Sequence, residues 1–153
     1  MIDIKKDVKL RNVLFPFWML LLLPQLWLIV FPVNFIVDSI VLIISTFALK
    51  ISCKKQFYKR RIFLVFGFGM LSDIIGSLYM LLLGLVFELG VMGDEFYLTI
   101  PALLISAVLI FVFNYLVTFK KDEKALRFKL SLIFAIATAP YTFLIPSSWL
   151  YGF

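Results

Sequence analysis

The charges of this chain are confined to short stretches that separate long apolar runs. All 15 Lys and Arg residues lie in three places, four of them within residues 5–11, six within 50–61 and five within 120–129. Hydrophobic residues make up 63% of the chain, whereas a soluble domain is about 45–50% apolar. The pattern predicts one integral membrane domain over residues 1–153 and excludes a water-soluble globule.

The run from Val13 to Ile51 is almost free of charge and too long to be one membrane helix. As a single helix it would measure about 58 Å, roughly twice the thickness of the hydrocarbon core. Pro32 ends a helix and Asn34 accepts turn conformations, so we expect a tight helical hairpin with its corner at 32–34. The fold prediction is all-α, a five-helix transmembrane bundle with spans at about 12–31, 35–51, 62–87, 98–119 and 130–150.

The placement of the basic residues predicts the orientation of this bundle. With five spans, all three basic stretches fall on the same side of the membrane, and the positive-inside rule makes that side cytoplasmic. The N-terminus is then inside, the C-terminus outside, and the protein is expected in the cell membrane. In the last span Pro140 and Pro146 interrupt the helix, so a re-entrant segment is the alternative to a full crossing.

Asp73 is the most unusual residue of the third predicted span. It lies roughly 18 Å from Arg61 along the helix, close to the middle of the bilayer, and no basic residue occurs in the interior of any span. An ionisable group at this depth indicates a proton or cation site. The alternative is a neutral carboxyl that hydrogen-bonds to a neighbouring helix as a packing element. Small residues on the same helix face, Gly69, Gly76 and Gly84, favour close helix packing.

Four further polar residues are candidates for a proton or ion path that includes Asp73. Gln25, Asn34 and Asp38 are predicted at similar depth near the outer ends of the first two spans, where they would line an outward-facing polar pocket. The alternative is that Asp38 caps the hairpin corner and Gln25 satisfies a carbonyl freed by Pro24. Asn114 lies near the cytoplasmic end of the fourth span, so Asp38, Asp73 and Asn114 would form a descending series.

The basic stretch between the second and third spans predicts contact with anionic lipid headgroups, which attract juxtamembrane basic residues. The residues concerned are Lys54, Lys55, Lys59, Arg60 and Arg61. Because topology and lipid contact explain these charges, no nucleic-acid partner is expected.

Enzymatic and metal chemistry finds little support in the sequence. The chain has no His and only one Cys, Cys53, so the usual zinc ligand sets are absent, and no phosphate-binding or nucleophile motif occurs. Proteolysis by two aspartates would need Asp38 and Asp73 in near contact, whereas their predicted depths differ by roughly 15 Å. We therefore expect no enzyme, no metal and no cofactor.

Two classes of function follow. The favoured one is a non-catalytic accessory or regulatory membrane component, whose buried polar groups pack within the chain, against another copy or against a larger membrane protein. The alternative is a small proton- or cation-coupled transporter or channel that uses Asp73 and Asp38.

Overall fold

A computed structural model of the protein describes Gln25 and residues 27–86 and 96–144. Every regular element in this part of the chain is helical, which confirms the predicted all-α class. The elements are α1 (Trp27–Ala48), α2 (Lys54–Val86), α3 (Phe96–Phe113), a π-helical segment (Asn114–Thr118), α4 (Lys124–Ala137) and a 3₁₀ turn (Tyr141–Leu144). Three stretches of the described chain are long and apolar enough to cross a membrane: Trp27–Ala48, Lys54–Leu83 and Leu98–Thr118.

Helix α1 continues through the position predicted as the hairpin corner. Pro32 lies inside this 22-residue helix, so the predicted corner at 32–34 is wrong. The carbonyl that faces the Pro32 ring belongs to Leu28, in the first turn of α1, where an interrupted hydrogen bond costs least and where membrane helices tolerate proline. The predicted second span therefore begins too late. The predicted first span overlaps α1 only at 27–31, and most of its remainder lies outside the described residues.

Helix α2 begins earlier than predicted, at Lys54, so most of the predicted basic loop forms its first two turns. Its 33 residues correspond to about 50 Å, longer than the hydrocarbon core, which leaves room for this basic end to project beyond it. The helix contacts both α1 and α3 and is the central element of the bundle. We call the side formed by residues 54–61 and 120–129 the basic end.

Helix α3 and the π-helical segment form one continuous stretch that agrees well with the predicted fourth span. The backbone N–H of Phe119 donates to the carbonyl oxygen of Asn114 at 2.9 Å, a five-residue spacing that defines the π geometry. The Asn114 side chain donates to the carbonyl oxygen of Ile110 at 3.0 Å. The widened turn thus begins at the residue whose buried side-chain amide donates a hydrogen bond to a backbone carbonyl.

Helix α4 stops well short of a full crossing. Its 14 residues reach about 21 Å from the basic end, and the chain then turns at Thr138–Pro140. Pro140 cannot continue the helix, and the Thr138 backbone N–H and hydroxyl both donate to the carbonyl oxygen of Phe134 at 2.9 Å. Whether the chain completes the crossing depends on residues 145–153, which lie outside the described residues.

The apolar core of the described chain forms two clusters. One contains Leu42, Ile110, Phe119 and Phe134 and extends to the basic end. The other contains Met70, Met80, Ala102 and Phe143, so the 3₁₀ turn after α4 packs against the middle of α2 and α3. Outward-facing surfaces of the helices carry exposed Leu, Ile, Val and Phe, as expected of surfaces in contact with lipid.

Candidate functional site

A small polar cavity of about 30 Å³ lies where α1, α2 and the turn after α4 meet. A cavity of this size has room for a water molecule or a small ion, which requires at least about 10–15 Å³. It is lined by Asn34, Val37, Asp38, Gly69, Met70, Asp73 and Thr138. None of these lining residues is basic, so the cavity is a concentration of oxygen-bearing side chains.

Helix α1 contributes Asn34 and Asp38, which are one turn apart on the same face. Because α1 is continuous through Pro32, Asp38 lies eleven residues after Trp27 and ten before Ala48. It is therefore near the middle of a membrane-length helix and not one turn from its end. The side chain is 4% exposed. A carboxyl at this depth is expensive and is by default a candidate functional group.

Helix α2 brings Asp73 to the same cavity. A Cβ atom built on Gly69 would lie 3.5 Å from Oδ2 of Asp38, so these two residues are at the same height. Asp73 follows Gly69 by four residues, which places its backbone one turn, about 6 Å, further along α2. Both residues line the cavity, Asp38 from α1 and Asp73 from α2. The predicted depth difference of roughly 15 Å is wrong, because it rested on the hairpin corner that α1 does not have.

The carboxyl group of Asp73 is buried without a full set of hydrogen bonds. Its side chain is 7% exposed, and Oδ1 has no hydrogen-bond partner among the described residues. Buried polar atoms are almost always paired, so each exception needs an explanation such as an ordered water or a bound ion. Because Asp73 also lines the cavity, a small ligand bound there could satisfy its carboxyl group.

The two neutral polar residues of the cavity, Asn34 and Thr138, each donate one hydrogen bond to a neighbouring residue. Nδ2 of Asn34 donates to Sδ of Met70 at 3.0 Å. The Thr138 hydroxyl donates to the carbonyl oxygen of Phe134 at 2.9 Å. Both side chains therefore retain an oxygen with free lone pairs.

Two predicted site residues lie elsewhere. Gln25 is exposed and is not part of the cavity lining. Asn114 is fully buried in the π-helical segment, and its Oδ1 has no partner among the described residues. Neither residue joins the carboxyl pair. Of the predicted outward pocket, only Asn34 and Asp38 share the cavity, and Asn114 does not continue a series from Asp38 and Asp73.

The basic end differs from the prediction at one residue. Lys54, Lys55, Lys59 and Arg60 are exposed, as residues that contact lipid headgroups would be. Arg61 turns inward, where its guanidinium forms an ion pair with Asp122 at 2.8 Å and donates to the carbonyl oxygen of Thr118. The sequence did not predict this pair or the position of Thr138 in the cavity lining. Pro140 was the only signal in the sequence that the chain would turn beside Asp73.

Likeness to other proteins offers no guide to this site. The chain matches no family model, and neither a curated protein nor a solved structure shows significant similarity to it. Among the described residues, no group of three or more His, Cys, Asp or Glu side chains could hold a metal ion. The chemistry of the cavity is therefore that of a carboxyl pair supported by two neutral oxygens.

Proposed function

We propose that this protein is a membrane carrier or channel that binds a proton or a small cation between Asp38 and Asp73. The observation that carries the proposal is the shared cavity of about 30 Å³, which is lined by Asp38 and Asp73 and by no basic residue. Two acids in one buried site do not both remain charged without a ligand, because like charges at close range destabilise each other. A proton or a cation supplies the missing positive charge.

The alternative role of Asp73 as a packing element requires its carboxyl to be hydrogen-bonded across a helix interface. Interhelical hydrogen bonds in this region are made instead by Asn34, whose Nδ2 donates to Sδ of Met70 at 3.0 Å, and by Ser106, whose hydroxyl donates to the backbone carbonyl of Ser72 at 3.0 Å. The free Oδ1 of Asp73 therefore favours ligand binding over packing.

The interrupted fourth helix adds support. Irregular backbone at membrane depth is tolerated where it is buried in protein or lines a cavity, and ion sites in transporters are often built at such interrupted helices. Helix α4 ends at Ala137, and the next residue, Thr138, lines the cavity. The position of this break beside two carboxyls is the arrangement expected of a transport site.

The test is flux through purified protein in sealed proteoliposomes, measured with interior pH-sensitive and Na⁺-sensitive dyes. Asp38→Asn and Asp73→Asn should each reduce flux at least tenfold while leaving the folded yield unchanged. Glu123→Gln is the matched control, because Glu123 is an exposed carboxylate outside the bundle core and the same chemical change is made there. Absence of flux in the parent protein, or equal flux in all variants, would exclude this function.

A second candidate is an accessory component of a larger membrane assembly. Its support is α1, in which Asp38, Leu42, Ser45 and Thr46 are the only buried side chains and several Ile and Val residues are exposed along the rest of the helix. Such a face fits lipid or a partner helix equally well. Purification in mild detergent distinguishes the two cases: a stoichiometric membrane partner, with no flux in the isolated chain, would favour the accessory role.

A further inference from the structure

The geometry points to a bare alkali-metal cation, coordinated by side-chain oxygens of Asp38, Asp73, Asn34 and Thr138, as the ligand of the cavity. This inference rests on the proposed function and narrows its ligand from a proton or cation to a cation. It concerns two residues, Asn34 and Thr138, that a pure proton site would not need.

The neutral residues of the cavity can supply oxygen ligands to a cation. One N–H group of the Asn34 amide donates to Met70 Sδ, and the hydroxyl hydrogen of Thr138 donates to the Phe134 carbonyl. The Thr138 oxygen can therefore act only as an acceptor toward the cavity, and Oδ1 of Asn34 is an acceptor as well. With the two carboxyls these oxygens make a set of hard oxygen donors. Hard cations prefer such ligands.

The end of α4 strengthens the preference for positive charge. Thr138 is the C-terminal capping residue of α4 and lines the cavity. The C-terminal end of a helix carries roughly half a negative elementary charge, which favours a cation placed near it. The cavity therefore receives negative potential from the helix end as well as from Asp38 and Asp73.

Size and charge narrow the cation further. A cavity of about 30 Å³ matches a bare ion better than a hydrated one, so we infer that the ligand enters without most of its water shell. Magnesium gives up its water reluctantly, and calcium takes six to eight oxygen ligands, more than the four residues supply without water. One monovalent ion leaves a single negative charge on the carboxyl pair, which one shared proton neutralises. A monovalent alkali-metal ion, for which sodium and lithium serve as probes below, fits these conditions best.

The experiment measures thermal unfolding of the purified full-length chain in detergent, with sodium chloride compared with choline chloride at equal ionic strength. A ligand that binds only the folded state stabilises it by RT ln(1 + c/Kd), where c is the free ligand concentration, so the unfolding temperature rises with that concentration. Sodium or lithium should raise that temperature with the concentration dependence of a single binding site, and Asp73→Asn should abolish the effect. Thr138→Val should weaken the apparent sodium affinity about tenfold, a loss of about 1.4 kcal/mol.

The matched control for Thr138→Val is Thr46→Val. Thr46 is also buried, and its hydroxyl likewise donates to a backbone carbonyl, that of Ile43 at 2.7 Å, but it does not line the cavity. Its sodium affinity should remain that of the parent chain. Equal losses in both variants would overturn the assignment of Thr138 as a ligand, because they would reflect helix packing alone.

The remaining outcomes separate this inference from the proposed function. Proton flux that requires Asp38 and Asp73, without any sodium or lithium effect on unfolding, overturns the cation inference and leaves the proposed function standing. Stabilisation by calcium or magnesium alone also overturns it. Absence of both flux and cation effects overturns the two together.

Discussion

Asp38 on α1 and Asp73 on α2 line the same cavity, with Asp38 at the height of Gly69 and Asp73 one turn further along the helix. No residue that lines the cavity carries positive charge. This relationship makes the two acids one unit, so that their substitutions should act on a shared property. The same two acids that would bind a cation also repel each other when no ligand is present. Cation binding is therefore gained at the expense of the stability of the ligand-free protein.

The first prediction concerns the stability of this pair. In choline buffer, Asp38→Asn and Asp73→Asn should each leave the unfolding temperature unchanged or raise it, because each removes one of two neighbouring acids from a low-dielectric site. The double variant should gain less than the sum of the single variants, since residues in contact are not additive. Thermal unfolding of the parent chain, the two single variants and the double variant measures this non-additivity. A loss of about 0.6–2 kcal/mol in either single variant would instead indicate a lost interhelical hydrogen bond.

Replacement of a glycine of α2 by alanine should change the stability of the protein to an extent that depends on the position. A Cβ on Gly76 would lie 2.9 Å from Cε2 of Phe143 and 3.2 Å from the carbonyl oxygen of Ala102, and closer still to Oγ of Ser106. Overpacking of this kind typically costs about 1–3 kcal/mol, so Gly76→Ala should lower the unfolding temperature. Gly67→Ala is the control, because a Cβ there meets nothing within 4 Å. Equal stability of the two variants would show that the turn after α4 does not pack on α2 as described.

Gly69→Ala tests the cavity without disturbing the packing. Its Cβ would be 3.5 Å from Oδ2 of Asp38, an ordinary contact distance, so the variant should fold normally. The added methyl group lies beside the carboxyl and narrows the cavity, and it should therefore reduce the sodium-dependent rise in unfolding temperature. Gly67→Ala should retain the full rise. A reduced rise in both variants would point to a general change in α2.

Arg61 should contribute to the stability of the bundle at the basic end. Its guanidinium contacts both carboxylate oxygens of Asp122, at 2.8 and 3.1 Å, and lies 5.1 and 5.6 Å from the ring centroids of Phe57 and Phe119. Lysine cannot reproduce this forked and stacked geometry. Arg61→Lys should therefore cost about 1.5–3 kcal/mol of unfolding free energy. Arg60→Lys, at an exposed position, should stay within about 0.5 kcal/mol; a similar loss there would contradict the role of Arg61.

The orientation in the membrane can be tested with the natural cysteine. Cys53 is the only cysteine of the chain and is exposed at the basic end. If the basic end is cytoplasmic, a membrane-impermeant maleimide should label it in inside-out vesicles and not in intact cells. Glu123→Cys in a Cys53→Ser background should follow the same pattern. Gly93→Cys in that background, in the loop predicted at 88–97, should be labelled from outside. Labelling of Cys53 in intact cells would reverse the predicted orientation.

The sequence by itself determined the helical class, the membrane-length apolar runs at 62–86 and 98–118, and the interruption at Pro140. These features depend on composition, on charge placement and on the missing N–H of proline, all of which act within a few residues along the chain. The importance of Asp73 was visible for the same reason, because a carboxyl in an apolar run is unusual wherever the helix packs.

Only the tertiary structure decided which polar groups meet. The continuation of α1 through Pro32 moved Asp38 to the middle of its helix, and the close approach of α1 to Gly69 set it beside Asp73. The position of Thr138 at the cavity and the ion pair between Arg61 and Asp122 likewise depend on contacts between residues far apart in sequence. Relative heights of neighbouring helices depend on packing against each other, and local sequence patterns carry no information on that register.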